Sequence, residues 1–153
     1  MQGIASKTID KDPSNNKIKP LPNKVSGWYP ADNANPSSPT SPETFGQDDG
    51  YQVGYDVSVT FKITPDNFFK MIDYINTLSG NYDLNDFNCM DFTVQALAKG
   101  GINIPDNYTS WPGGGGSSPG KLGEALRNMT LPSGATRQTD FGDPSPNSGD
   151  CNK

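Results

Sequence analysis

Tyr82-Asp83-Leu84-Asn85-Asp86-Phe87-Asn88-Cys89-Met90-Asp91-Phe92 is the stretch on which the reading of this chain turns. The polar flank Asn85-Asp86-Asn88 descends onto an apolar stripe of Cys89, Phe92, Ala96 and Leu97. That pattern predicts a helix from about Asn88 to Lys99, closed by Gly100-Gly101, since glycine readily takes the left-handed conformation past a helix end. Cys89 then sits in the first turn. A thiol there meets unpaired N–H groups and the positive end of the helix dipole, and both favour the reactive thiolate. The bland alternative is that a free cysteine is a small buried hydrophobe. Asp86 and Asp91 also oppose the reactive reading, because nearby carboxylates repel a thiolate. A cysteine nucleophile ordinarily needs a base, nearly always histidine, and this chain has no histidine.

Working outward, the clearest strand precedes this stretch. Tyr55, Val57, Val59, Phe61 and Ile63 alternate with Asp56, Ser58, Thr60 and Lys62, a period of two with one face buried. Thr64-Pro65-Asp66 starts a helix that runs to about Leu78 and ends at Ser79-Gly80. Its inner stripe is Phe68, Ile72 and Ile75, broadened by Phe69, Met71 and Leu78. Further upstream, Ile4 to Ile9 and Val25 to Pro30 read as strands, while 12–24 and 31–50 read as loops rich in Pro, Ser, Asn and Asp. Downstream, Ser118-Pro119 opens a third helix with Leu122, Ala125, Leu126 and Met129 inward. The sequence therefore divides into a domain over 1–130 and a flexible tail over 131–153, poor in apolar residues. The fold class is α+β, a short antiparallel sheet packed on the cysteine-bearing helix.

Composition narrows the function classes. The chain of 153 residues is 31% hydrophobic with 17 Gly and 14 Pro, so its core is small. Its formal net charge is −5 and no basic stripe appears, which disfavours nucleic acid as a partner. No apolar run is long enough to span a bilayer. Met1 to Lys19 lacks the apolar segment of a signal peptide. A cytosolic protein, a piece of a larger parent polypeptide, and cargo secreted by a signal-independent machine all fit.

The two cysteines, Cys89 and Cys151, could pair and cap the candidate nucleophile, or stand as unrelated thiols. The second reading is preferred, because two cysteines do not make a disulfide framework. Gly115-Gly116-Ser117-Ser118-Pro119-Gly120-Lys121 matches the opening of a phosphate-binding loop, but Leu122 stands where the magnesium-binding hydroxyl belongs and no strong strand precedes it. The run reads instead as a flexible linker ending in a helix cap. Without histidine or zinc-type cysteine spacing no metal site is expected, and no cofactor. Trp28, Tyr29 and Trp111 are candidates to line a cleft, against the plainer role of anchoring loops to the core.

The ordered set Tyr82, Leu84, Asn88-Cys89, Asp91-Phe92, then Ser118-Pro119-Gly120, Leu122-Gly123 and Leu126-Arg127-Asn128-Met129 resembles a bacterial family of circularly permuted papain-like (NlpC-type) cysteine peptidases and amidases. Gly27-Trp28-Tyr29-Pro30 and the 55–61 strand are similar to that family's upstream strands. The resemblance implies a permuted papain-like fold. It also implies thiol hydrolysis of an amide or peptide bond by Cys89, in peptidoglycan or a peptide substrate. Asn88, Trp28, Tyr29 and Trp111 are then substrate-binding candidates beside it. In permuted members the catalytic histidine precedes the cysteine on an early strand. Here Gly3-Ile4-Ala5 places Ile4 at that position, or else the histidine strand lies before Met1. The chain is expected to be a degenerate or incomplete hydrolase; the alternative is a non-catalytic binding module on the same scaffold.

Overall fold

The computed structural model describes residues 4–11, 18–47, 56–105 and 107–139, with side chains described for 28–43, 56–105 and 107–139. Within these limits it is a mixed α+β structure of three helices and short antiparallel sheets. Strands β1 (Ile4–Lys11), β2 (Ile18–Pro30) and β4 (Glu43–Gln47) form one sheet in the order β1-β2-β4. The strands read at 4–9 and 25–30 are thus present and longer than expected. Two segments read as loops, 12–24 and 31–50, contribute strand residues from Ile18 onward and at 43–47. The prolines at 20 and 22 hid the first. The β1–β2 register slips between Lys7 and Ile9, where β2 carries one extra residue, and a bulge is where a strand tolerates proline.

The two-residue strand β3 (Thr40–Ser41) pairs with β6 (Tyr82–Asp83). Strand β5 (Ser58–Thr60) pairs with β9 (Thr136–Gln138). The alternating 55–63 segment is therefore a strand only at its centre. Val57 is buried and Phe61 and Ile63 are half-buried, so the apolar face survives although the ladder is short. Tyr55 lies outside the described residues. The expectation of a tail from 131 is corrected by β9. A turn closed by the Ala135 N–H on the Pro132 carbonyl (3.0 Å), with Gly134 at φ +80°, sends 136–138 back onto β5, and the Arg137 guanidinium donates to the Met129 carbonyl. Residues 140–153 lie outside the described ones.

Helix α1 (Pro65–Thr77) begins as read, with the Thr64 hydroxyl accepting from the Asn67 N–H. Its inner face is rotated from the expected stripe. Met71 is buried and Tyr74, Ile75 and Leu78 join the core cluster, an i, i+3, i+4, i+7 set, while Phe69 is 39% exposed. The aromatic ring of Tyr74 extends the apolar face that aliphatic counting missed. Helix α2 (Cys89–Lys99) closes at Gly100-Gly101, with Gly101 at φ +79°. It buries Met90, Phe92, Thr93 and Ala96. Phe92 is the hinge of the core. It stacks on Trp28 of β2 (5.9 Å) and on Tyr74 of α1 (6.3 Å), while Phe87 meets Trp28 edge-on (6.0 Å). Each such pair contributes about 0.5–1.5 kcal/mol beyond area burial. The helix therefore packs on β2 and α1.

The glycine tract is not a linker. Strands β7 (Tyr108–Trp111) and β8 (Gly114–Ser117) form a hairpin whose two-residue turn is Pro112-Gly113, with Gly113 at φ +91°. Helix α3 (Pro119–Asn128) follows at once, capped by Ser118, with Leu122 buried. Among the described residues no helix is long and apolar enough to cross a membrane.

Candidate functional site

The site is built from the turn that lifts the chain into α2. The Asp83 carboxylate accepts from the Asn85 and Asp86 N–H groups (2.8 and 3.1 Å), and the Asp83 and Phe87 backbones exchange two hydrogen bonds of 2.9 Å. This delivers Asn88 in extended conformation as the N-cap of α2. Its side-chain oxygen accepts from Met90 N–H (2.8 Å) and Asp91 N–H (3.4 Å), while Asp91 Oδ2 accepts from the Asn88 N–H (3.0 Å). This reciprocal arrangement is a capping box. Asn88 Nδ2 donates to the carbonyls of Leu84 (3.1 Å) and Ser117 (2.9 Å). Asn88 is 2% exposed and its polar groups are engaged in holding the helix start, so the candidate substrate contact is an internal strut.

The other carboxylate oxygen of Asp91 accepts from the Ser117 hydroxyl (2.5 Å), and Ser117 Oγ also lies 3.1 Å from Asn107 Oδ1. Ser117 and Asn107 escaped the sequence reading. The spacing Asn88-x-x-Asp91 carried the capping-box signal, but nothing local links it to residues 107 and 117. The glycines of β8 allow this hairpin to close on the turn. A Cβ at Gly116 would stand 2.9 Å from the Leu84 carbonyl oxygen and 3.0 Å from that of Asn85. Three buried polar atoms around this hairpin, Asn85 Oδ1, Asn107 Nδ2 and Trp111 Nε1, have no hydrogen-bond partner.

Cys89 occupies the first position of α2, as the sequence predicts. It is a free thiol, half-buried against a cluster of Trp28, Tyr82, Phe92 and Ala96. Burial pushes its pKa above the ordinary value of 9.0. A hydrogen bond with the Tyr82 side chain, and the N–H groups of Cys89 and Met90, pull the other way and do not overcome it. The expected thiolate bias is thus corrected. The helix start does favour the anion, but the apolar cluster at its side costs the anion more. Tyr82 is 5% exposed, and its phenol is held well above its usual range by burial first and by Cys89 second. The Asp91 carboxylate is engaged by the Asn88 N–H and the Ser117 hydroxyl.

Trp28 and Tyr29 are 3% and 4% exposed. Successive strand residues face opposite sides, so β2 is covered on both faces here. Both are interior residues, and the cleft expected from Trp28, Tyr29 and Trp111 does not assemble around them. Trp111 is half-buried on the hairpin, its ring edge against Gly116. The side chain of Ile4, aligned with the family's histidine position, lies outside the described residues; its backbone pairs with Ser26, two residues before Trp28. Cys151 is likewise outside them. Among the described residues no group of three His, Cys, Asp or Glu side chains could hold a metal. A groove of about 270 Å³ beside Phe61, Ile102, Met129 and Leu131 lies past the C-terminal end of α2. At 1.5 Å per residue that is about 15 Å along the helix from Cys89. No family model matches this chain, and neither a curated protein nor a solved structure does.

Proposed function

We propose that this domain is a thiol-hydrolase-type scaffold of the permuted papain-like kind, built for amide or peptide bonds, that retains its nucleophile without an imidazole base. The observation that supports this reading is the placement of Cys89 at the first position of a helix whose start is fixed by a buried capping box. In such a site the Cys89 sulfur attacks a carbonyl carbon, and the Cys89 backbone N–H at the helix start helps to stabilise the oxyanion. The amine leaves with a proton, and water then releases the acyl group from sulfur. Two proton transfers are needed, and the chain offers no histidine for either. General acid–base help is worth about 10²–10⁴ in rate, so amide turnover by the chain alone is slow.

The substrate class that fits is peptide, free or within peptidoglycan, in a peptidoglycan amidase or a secreted peptidase toxin; this setting rests on family analogy alone. One observation favours a second reading, a non-catalytic binding module: burial keeps the Cys89 thiol protonated at neutral pH.

Acyl transfer separates the two. An activated peptidyl ester needs no proton on its leaving group, so it reports the nucleophile without the missing acid. The hydrolase-type reading expects an acyl group on Cys89 by mass spectrometry, forming faster as pH rises through the thiol pKa and absent in Cys89→Ala. A folded protein that stays unacylated under alkaline conditions is the outcome that rejects this reading for the binding module.

A further inference from the structure

We propose that Asn107 is a positioning residue of the α2 start: its amide nitrogen donates to the Ser117 hydroxyl and so commits the one proton of that hydroxyl to Asp91. This goes beyond the hydrolase-type reading, because it concerns what fixes the turn that carries Cys89 and is tested without any reaction at the thiol.

Ser117 Oγ lies between two oxygens, Asp91 Oδ1 at 2.5 Å and Asn107 Oδ1 at 3.1 Å. A hydroxyl has one proton and can serve only one of them. Asn107 is 7% exposed, and its Nδ2, which carries two donors, is buried without a partner. The Asn107 backbone is tied at the foot of the β7–β8 hairpin, where the Ser118 N–H donates to its carbonyl (3.1 Å). That tie keeps the side chain beside Ser117.

The two ends of an amide have the same shape, so turning Asn107 over requires no other side chain to move. The nitrogen then takes the oxygen's place, 3.1 Å from Ser117 Oγ. A buried N–H gains a partner, and no two oxygens face each other without a proton between them. An amide oxygen is left without a donor instead, the lighter fault, since orphaned N–H groups are the rarer of the two in folded proteins. The opposite chain, with a proton on Asp91 and the Ser117 hydroxyl turned to Asn107 Oδ1, leaves the Asn107 nitrogen orphaned. The chain that satisfies the donors runs one way, from Asn107 to Ser117 and from Ser117 to Asp91, whose Oδ2 accepts from the Asn88 N–H (3.0 Å). Each donor polarises the next, so the bonds of such a chain strengthen one another.

The test is hydrogen exchange at the Asn88 N–H, followed by NMR in the full chain at neutral pH and referenced to the amides of α1. The hydrogen bonds of Asn107 run to Ser117 and Ser118, so any effect of its side chain on Asn88 must pass through Ser117 and Asp91. Ser117→Ala should speed the exchange about tenfold, the scale of one hydrogen bond to a charged group. Asn107→Ala should speed it about twofold, the share that one bond lends to the next. The sign is decisive. If the Asn107 oxygen faced Ser117, it would compete with Asp91 for the proton, and removing it would tighten the Ser117–Asp91 bond. Exchange that is unchanged or slower in Asn107→Ala therefore overturns the proposal. Should that variant fail to fold, the amide orientation in the unaltered protein decides. A nuclear Overhauser contact from an Asn107 side-chain N–H proton to the Ser117 β-protons is expected, and a folded protein without that contact overturns the proposal.

Discussion

Two neighbouring serines serve the starts of two helices, and the contrast between those starts explains most of this site. Ser118 caps α3 in the simplest way: its hydroxyl accepts from the Lys121 N–H (3.2 Å), with Pro119, Gly120 and Lys121 exposed beyond it. Ser117 reaches the other way, to Asp91 in the first turn of α2. There the cap is an asparagine, which can accept from two N–H groups and donate to two carbonyls at once, as a serine cannot. The α3 start is a local stop signal. The α2 start is a junction joining a turn, a helix and a glycine hairpin, and it is where Cys89 is held.

The comparison can be broken by stability measurements. Asn88→Ala should be the most damaging change, at about 3 kcal/mol in urea unfolding, because it removes a cap and takes the Asn88 donor from the part-buried carbonyls of Leu84 and Ser117. Asn88→Ser keeps the cap oxygen and should recover about half of that loss. Gly116→Ala should come next, at about 2 kcal/mol, since its Cβ would meet two backbone oxygens that cannot swing aside. Ser118→Ala should cost about 1 kcal/mol or less. Equal losses at Asn88 and Ser118 would mean the α2 start is an ordinary cap, and the junction account would fail.

The smallest effect is a pH slope. A thiol whose folded pKa is raised binds its proton more tightly in the folded state. Its contribution is therefore complete below the unfolded thiol value and is lost as pH rises through the folded one. Tyr82 adds the same sign at more alkaline pH. Urea midpoints should fall across the alkaline range, and less so in Cys89→Ala; a midpoint that rises there would contradict the burial argument.

Much of this was legible in the sequence where the signal is local. The starts of all three helices, at Thr64, Asn88 and Ser118, and the glycine stop at 100–101 follow from side-chain oxygens, prolines and glycine acting within a few residues. Cys89 at the helix start follows from the same rules. What was hidden is pairing over distance. Residues 136–138 look like a polar tail until β5 offers them an edge, and 43–47 look like loop until β2 does. The glycine tract looked flexible because glycine has no packing signal of its own; its role appears only when the 84–85 backbone lies against it. Asp91 reads in the sequence as a charge near a thiol, whereas its position three residues after Asn88 makes it half of a capping box. The sequence suggests the thiolate from the helix dipole; it could not show the buried cluster of Trp28, Phe92 and Ala96 packed against Cys89 and reversing the balance.

One titration decides whether burial or the helix start governs the thiol. In the folded Cys151→Ser protein the ultraviolet absorbance of the Cys89 thiolate, referenced to Cys89→Ala, gives the thiol midpoint without any reagent or substrate. The account expects a midpoint above 9.0, the ordinary thiol value. A midpoint at or below that value would contradict it, and would mean that the helix start, rather than burial, governs Cys89.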